Sequence, residues 1–188
     1  MASQKELIAV VAASMGVAIE TVTVVDRYLA EAGLRTRALR GRGSTPMTYE
    51  DAANMIIATA WDANPKDAVD LVKAYRNLPA TKVKETAFMA VDAIGSTFGE
   101  ALSNMLESIP EERAAFSSHE DAPGHMSVRV KMYGPEPRVE IFLVKDAEPH
   151  TFEFGPMFSR PIDLRRTVEF TQLTLGFVGA AIAEGFVR

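Results

Sequence analysis

Ile8-Ala9-Val10-Val11-Ala12-Ala13-Ser14-Met15-Gly16-Val17-Ala18-Ile19-Glu20-Thr21-Val22-Thr23-Val24-Val25-Asp26-Arg27 carries two short helical patterns separated by a single glycine. Two helices that cross steeply need a small residue where their axes approach and a turn residue that tolerates positive φ. Ala12 and Gly16 supply these. Val11, Met15, Val17, Val22 and Val25 then fall where both helices bury a shared face.

With Ala12 and Gly16 in register with those apolar positions, the stretch resembles the helix-turn-helix of bacterial and phage DNA-binding proteins over about twenty residues. The resemblance implies double-stranded DNA as partner and makes Thr21, Thr23 and Arg27 of the second helix its DNA-contacting residues. The rest of the nominal reading face is poor in such side chains. Ile19 and Val24 offer at best thymine-methyl contacts, Glu20 repels phosphate, and Ala18 stands where a Ser or Thr cap is usual.

The cations follow at once, in Leu34-Arg35-Thr36-Arg37-Ala38-Leu39-Arg40-Gly41-Arg42-Gly43-Ser44-Thr45-Pro46. This basic segment occupies the place of the wing in a winged helix-turn-helix. Arg35, Arg37, Arg40 and Arg42 can neutralise phosphates or enter a narrow minor groove, and glycine lets the backbone come close. On this reading the arginines hold DNA and contribute nothing to the fold. The other reading is a solvated loop whose arginines pair with nearby acids. Gly41-Arg42-Gly43-Ser44-Thr45 is not a phosphate-binding P-loop, because the lysine before Ser/Thr is missing and no strand precedes it.

A chain of 188 residues can bury a real core. With 47% hydrophobic and 24% charged residues it has the composition of a soluble globule, and its net charge of −5 argues against indiscriminate coating of nucleic acid. Charge is unevenly spread: residues 1–46 carry +2 and the remainder −7. No cysteine is present, which removes disulfides, thiolate metal sites and a cysteine nucleophile and suits a reducing cytoplasm. The N-terminus lacks the basic-then-apolar order of a signal peptide. Phe170 to Ala183 is uncharged but too short to span a bilayer, so no membrane role is expected.

Along the chain, Thr48 caps a helix running to about Asp62, and Asn64 with Pro65 opens another that ends at Leu78-Pro79. Residues 82–109 read as helix, breaking at Gly95 and restarting at Thr97-Phe98-Gly99-Glu100 as a capping box. Its stripes, Val83, Ala87, Val91 and Ile94, then Leu102, Met105, Leu106 and Ile109, suit a core or a subunit interface. Pro110 to Gly124 reads as a surface connection and domain boundary. Beyond it the period becomes two: Val128, Val130 and Met132, a turn at Gly134-Pro135-Glu136-Pro137, then Val139, Ile141 and Leu143 form a β-hairpin. Phe152 and Phe154 suggest a third strand, and Pro161 to Phe186 a closing helix so apolar that it needs a neighbouring subunit or a ligand pocket.

The fold class expected is therefore α+β, mainly α. It comprises a winged helix-turn-helix over residues 1–46, a helical oligomerisation region over 47–116, and a small antiparallel sheet with a closing helix over 124–188. His119, His125 and His150 match no metal-ligand spacing, the acids are dispersed, and neither cofactor, metal nor catalysis is expected. The order of parts looks like that of phage terminase small subunits, which implies a non-enzymatic homo-oligomer that recognises double-stranded DNA. A transcriptional regulator with a C-terminal oligomerisation or ligand domain, and an interaction protein using the same helices for protein contacts, are the alternatives.

Overall fold

A computed structural model of the chain describes residues 2–37, 45–83, 94–110, 125–145, 147–156 and 164–184. Helix α1 spans Gln4–Met15. Its capping box is reciprocal: the Glu6 N–H donates to Ser3 Oγ at 3.4 Å, and the Ser3 N–H donates to Glu6 Oε2 at 2.7 Å. The helix stops at Gly16, whose left-handed φ of 65° lets its N–H reach back to the Ala12 carbonyl. Helix α2, Ile19–Glu31, starts after Ala18 without a side-chain cap. Leu7, Val11, Val22, Val25 and Leu29 are buried between the two helices and their neighbours, with Met15 and Val17 partly so.

Helix α3 spans Tyr49–Thr59 and is capped as its sequence predicts, with Asp51 N–H donating to Thr48 Oγ1 and Thr48 N–H donating to Asp51 Oδ2. It ends three residues before Asp62. Every residue from Asp51 to Thr59 is buried, so α3 is enclosed on all sides and forms the axis of the molecule. Asn64 then accepts the Lys66 N–H, and Pro65 opens a single 3₁₀ turn, Pro65–Asp67, that leads into α4, Ala68–Arg76.

The structure departs from the sequence reading at two strands. Ala80–Val83 is a strand, β1, where helical spacing predicts that Lys82 and Val83 begin a helix. It pairs antiparallel with a strand about seventy residues away, and a local reading of helical spacing does not register such a partner. Residues 84–93 lie outside the described residues. After Gly95, at a φ of 109°, Thr97 caps α5, Phe98–Ser108. Glu100 reaches back to the Ser96 N–H and hydroxyl instead of closing the box on Thr97, and these bonds hold its carboxyl below the usual range.

The sheet has five antiparallel strands in the order β1-β4-β3-β2-β5. The expected hairpin is β2, Met126–Gly134, and β3, Arg138–Lys145, with Val130 opposite Ile141. Phe152 and Phe154 lie in β4, Glu148–Phe154. The second correction is β5, Arg166–Thr171, which falls within the stretch expected to be a closing helix. Leu164 and Val168 are four residues apart and mimic a helical stripe, yet Val168 and Phe170 pair with Met132 and Val130 and so extend the buried sheet face. The closing helix, α6, is Gln172–Glu184 only; residues 157–163 and 185–188 lie outside the described residues.

One face of the sheet is apolar and covered. The other carries paired charges: Arg138 bridges Glu140 on its own strand and Glu153 across on β4, and Arg129 and Lys131 on β2 bridge Glu169 on β5. Burial, then the bond its hydroxyl donates to Glu140, pushes Tyr133 up to about 12. Buried apolar residues from all three regions of the chain form one continuous core, with α6 packed on α1, α3 and α5. The middle region thus contributes a strand to the sheet of the C-terminal region. Among the described residues, no helix is long and apolar enough to cross a membrane.

Among the described glycines, Gly179 has the least room for a side chain. A Cβ there would run into the Leu106 carbonyl oxygen, whereas one at Gly176 would meet nothing closer than Ile109 Cγ2 at 3.8 Å. Gly179→Ala is expected to force α6 off α5 and cost about 3 kcal/mol in urea unfolding. Gly176→Ala is expected to be neutral or to gain up to about 1 kcal/mol from helix propensity.

Candidate nucleic-acid interface

The first and most N-terminal of the four arginines is not at the surface. Arg35 is buried, and its guanidinium pairs bidentately with Asp26, Nε to Oδ1 at 2.6 Å and Nη2 to Oδ2 at 3.0 Å. The Gln4 amide donates a further bond to Asp26 Oδ2 at 2.6 Å, so α1, α2 and the arginine segment meet at one carboxylate. Burial raises the Asp26 carboxyl above its ordinary 3.8, with Arg35 and Gln4 pulling it back toward the charged form. The signal was present in the sequence. Val22, Val25, Asp26 and Leu29 follow the buried helical period, and an acid on such a stripe requires a cation or donors.

The same knot continues into α3. The Thr36 N–H donates to Asp51 Oδ1 at 2.6 Å, and the Asn54 amide donates to the Leu34 carbonyl at 2.8 Å. Arg35 also donates to the Thr36 carbonyl. Residues 34–36 are therefore held by α2 and α3 before the remaining arginines begin. This corrects the expectation that all four arginines are dispensable for folding, because Arg35 neutralises a buried charge.

Arg37 is exposed and bonds the last turn of α2, Nε to the Ala30 carbonyl at 2.6 Å and Nη2 to the Glu31 carbonyl at 3.0 Å. There it satisfies carbonyls that a helix C-terminus leaves free and complements the dipole. Arg27, one turn earlier, is exposed with its guanidinium 5.4 Å from the Tyr28 ring centroid. Arg40 and Arg42 lie outside the described residues. Thr23 is exposed, its hydroxyl donating to the Ile19 carbonyl, while Thr21 is half-buried toward α6. Ile19 and Glu20 are exposed on the nominal reading face, and Val24 is half-buried. The exposed outer surface of α2 thus presents Ile19, Glu20, Thr23, Arg27 and Glu31, and Arg37 stands at its C-terminal end.

Of the histidines, His150 is buried on the covered sheet face opposite Leu143, His125 is half-buried before β2, and His119 lies outside the described residues. Among the described residues, no three His, Asp or Glu side chains converge to hold a metal ion. Tyr75 is buried, donates to the Tyr133 carbonyl and has its pKa pushed up by burial, so its hydroxyl braces the hairpin tip. No family model, curated protein or solved structure matches the chain.

The ion pair generates a test with a pH signature. Arg35→Met leaves Asp26 buried without its cation and is expected to cost about 3–5 kcal/mol at pH 7. In this variant the folded-state pKa of Asp26 rises further above the unfolded value. The folded state then holds a proton that the unfolded state has lost, and stability falls as pH rises through that window. The penalty is therefore expected to shrink as pH is lowered toward 4, and Asp26→Asn added to Arg35→Met is expected to restore part of the loss at pH 7. A penalty independent of pH in chemical denaturation contradicts the assignment.

Proposed function

We propose that the chain is a non-enzymatic double-stranded DNA-binding protein that grips the phosphate backbone from the C-terminal end of α2. The observation that carries this reading is the stitched root of the arginine segment. Leu34, Arg35 and Thr36 are bonded to α2 and α3, and Arg37 bonds the last carbonyls of α2. Arg40 and Arg42 follow Arg37 within five residues in sequence, so the segment concentrates cations although the chain as a whole is acidic. Glu20 and Ile19 on the outer face of α2 make base reading weak. The grip is consequently backbone or minor-groove contact, with Thr21, Thr23 and Arg27 contributing position.

Leu173 and Phe177, 64% and 54% exposed one turn apart on α6, support self-association in the DNA-bound form. The order of parts read from the sequence, which resembles that of phage terminase small subunits, supports DNA recognition in packaging. A many-subunit ring fits that role, and a dimer on a palindromic site fits a transcriptional regulator. The absence of cysteine fits a cytoplasmic setting. A second reading, in which α2 contacts protein, is favoured by Ile19, 47% exposed beside Glu20 at the start of the helix.

Fluorescence anisotropy with a random-sequence DNA duplex across a salt series tests the proposal. The parent chain is expected to bind with a steep salt dependence. Arg37→Ala, Arg40→Ala and Arg42→Ala together, with Arg35 retained, are expected to weaken binding at least tenfold and flatten the slope by about 0.9 for each phosphate no longer neutralised. No binding by the parent, or unchanged affinity in the variant, overturns the reading. Self-association that is lost on Ile19→Ser, in a parent chain that does not bind DNA, supports the second.

A further inference from the structure

β5 is the last strand on its side of the sheet. It pairs with β2, and no described residue pairs with its other edge. A trough runs along that edge. One end, about 760 Å³, lies between β5, the turn joining α1 to α2, and the start of α6. The other, about 1360 Å³, lies between β5 and α4 beneath the tip of the β2–β3 hairpin. Trp61, Asp62, Ala63 and Val168 line both, so the two ends are continuous.

An open strand edge exposes a row of backbone N–H and C=O groups, and proteins usually blunt it with proline, a bulge or unpaired charge. Along β5 there is no proline and its register with β2 is regular; its charges are Glu169, already paired with Arg129 and Lys131, and Arg166 at the very start of the strand. The trough is also one-sided in charge. Asp62, Asp67, Asp70 and Glu169 line it against Arg166, and the three aspartates are exposed and take part in no ion pair among the described residues. Its apolar floor is Trp61, Leu71 and Val168. A second copy fits poorly, because joining β5 to β5 brings two sets of the same carboxylates together on a chain already at −5.

We propose that this trough is a docking site for an extended segment of a partner protein, rich in lysine or arginine with interspersed apolar residues, that adds as a strand to the free edge of β5. Main-chain bonds to β5 supply affinity, apolar side chains cover Trp61 and Val168, and cations meet Asp62, Asp67 and Asp70. The trough borders the proposed DNA face at Thr21 but includes none of the arginines, and its test reads β5 and Trp61 and uses no DNA, so its failure is distinguishable from failure of the DNA reading.

The chain has a single tryptophan, and it lies in the wall of the trough, which makes its emission a local reporter. The full chain is titrated with a capped nonapeptide of alternating lysine and valine, and backbone amide exchange is followed in parallel. The expected result is a saturable change in Trp61 emission, slowed exchange across Arg166–Thr171, and at least tenfold weaker binding by Asp62→Asn, Asp67→Asn and Asp70→Asn combined. An alternating glutamate and valine peptide is expected not to bind, which decides the question on the unaltered chain if the triple variant fails to fold. Absence of both signals, equal affinity for the two peptides, or protection at α2 instead of β5 overturns the proposal. So does protection of β5 in the peptide-free protein together with a doubled mass, which assigns the edge to a second copy.

Discussion

Helix α3 is buried from Asp51 to its end at Thr59, and this sets the terms for everything packed around it. A helix enclosed on all sides has no solvent to satisfy its polar side chains, so each of them needs a partner within the protein. Asp51 takes the N–H groups of Thr36 and Thr48, Asn54 binds the Leu34 carbonyl, and the Thr59 hydroxyl returns to the Met55 carbonyl. Leaving one such group unsatisfied costs about 1–3 kcal/mol, comparable to the margin by which small domains are stable. The segment at 34–36 is therefore part of the core construction, although it opens what reads in sequence as a basic surface loop.

Asp26 extends that constraint to the first two helices. Its carboxylate is 1% exposed and is tolerable there only because Arg35 and Gln4 meet it. Arginine suits the task because its guanidinium offers two parallel donors to one carboxylate. The basic segment consequently divides by role: Arg35 faces inward as a counter-ion, whereas Arg37 faces outward at the end of α2. The proposed DNA grip rests on the outward arginines, and the inward one sets where they start.

The sheet stands on a different footing, since its covered face needs helices and its outer face is held by ion pairs. Arg138, between Glu140 and Glu153, spans β3 and β4, and Glu169 ties β5 to β2 through Arg129 and Lys131. Helix α6 joins the two halves. It follows β5 directly and packs on α1 and α5 closely enough that Gly179 has no room for a side chain. Its other side leaves Leu173 and Phe177 in solvent, near one end of the trough along β5.

What was legible in the sequence was local. The helix starts at Thr48, Asn64 and Thr97 depend on hydrogen bonds spanning a few residues, and the β2–β3 hairpin depends on alternation around one turn, so residue types alone determined them. The glycine break at Gly16 belongs to the same class, because a left-handed φ is a property of one residue. Tertiary structure decided what depends on distant partners. β1 is a strand because β4 lies beside it, β5 because β2 does, and Arg35 is buried because Asp26 sits on the inward face of α2. A four- or six-residue segment has too few periods to declare its conformation, and a cation does not reveal from sequence alone which carboxylate will claim it. Both questions are settled by burial, which only the assembled core imposes.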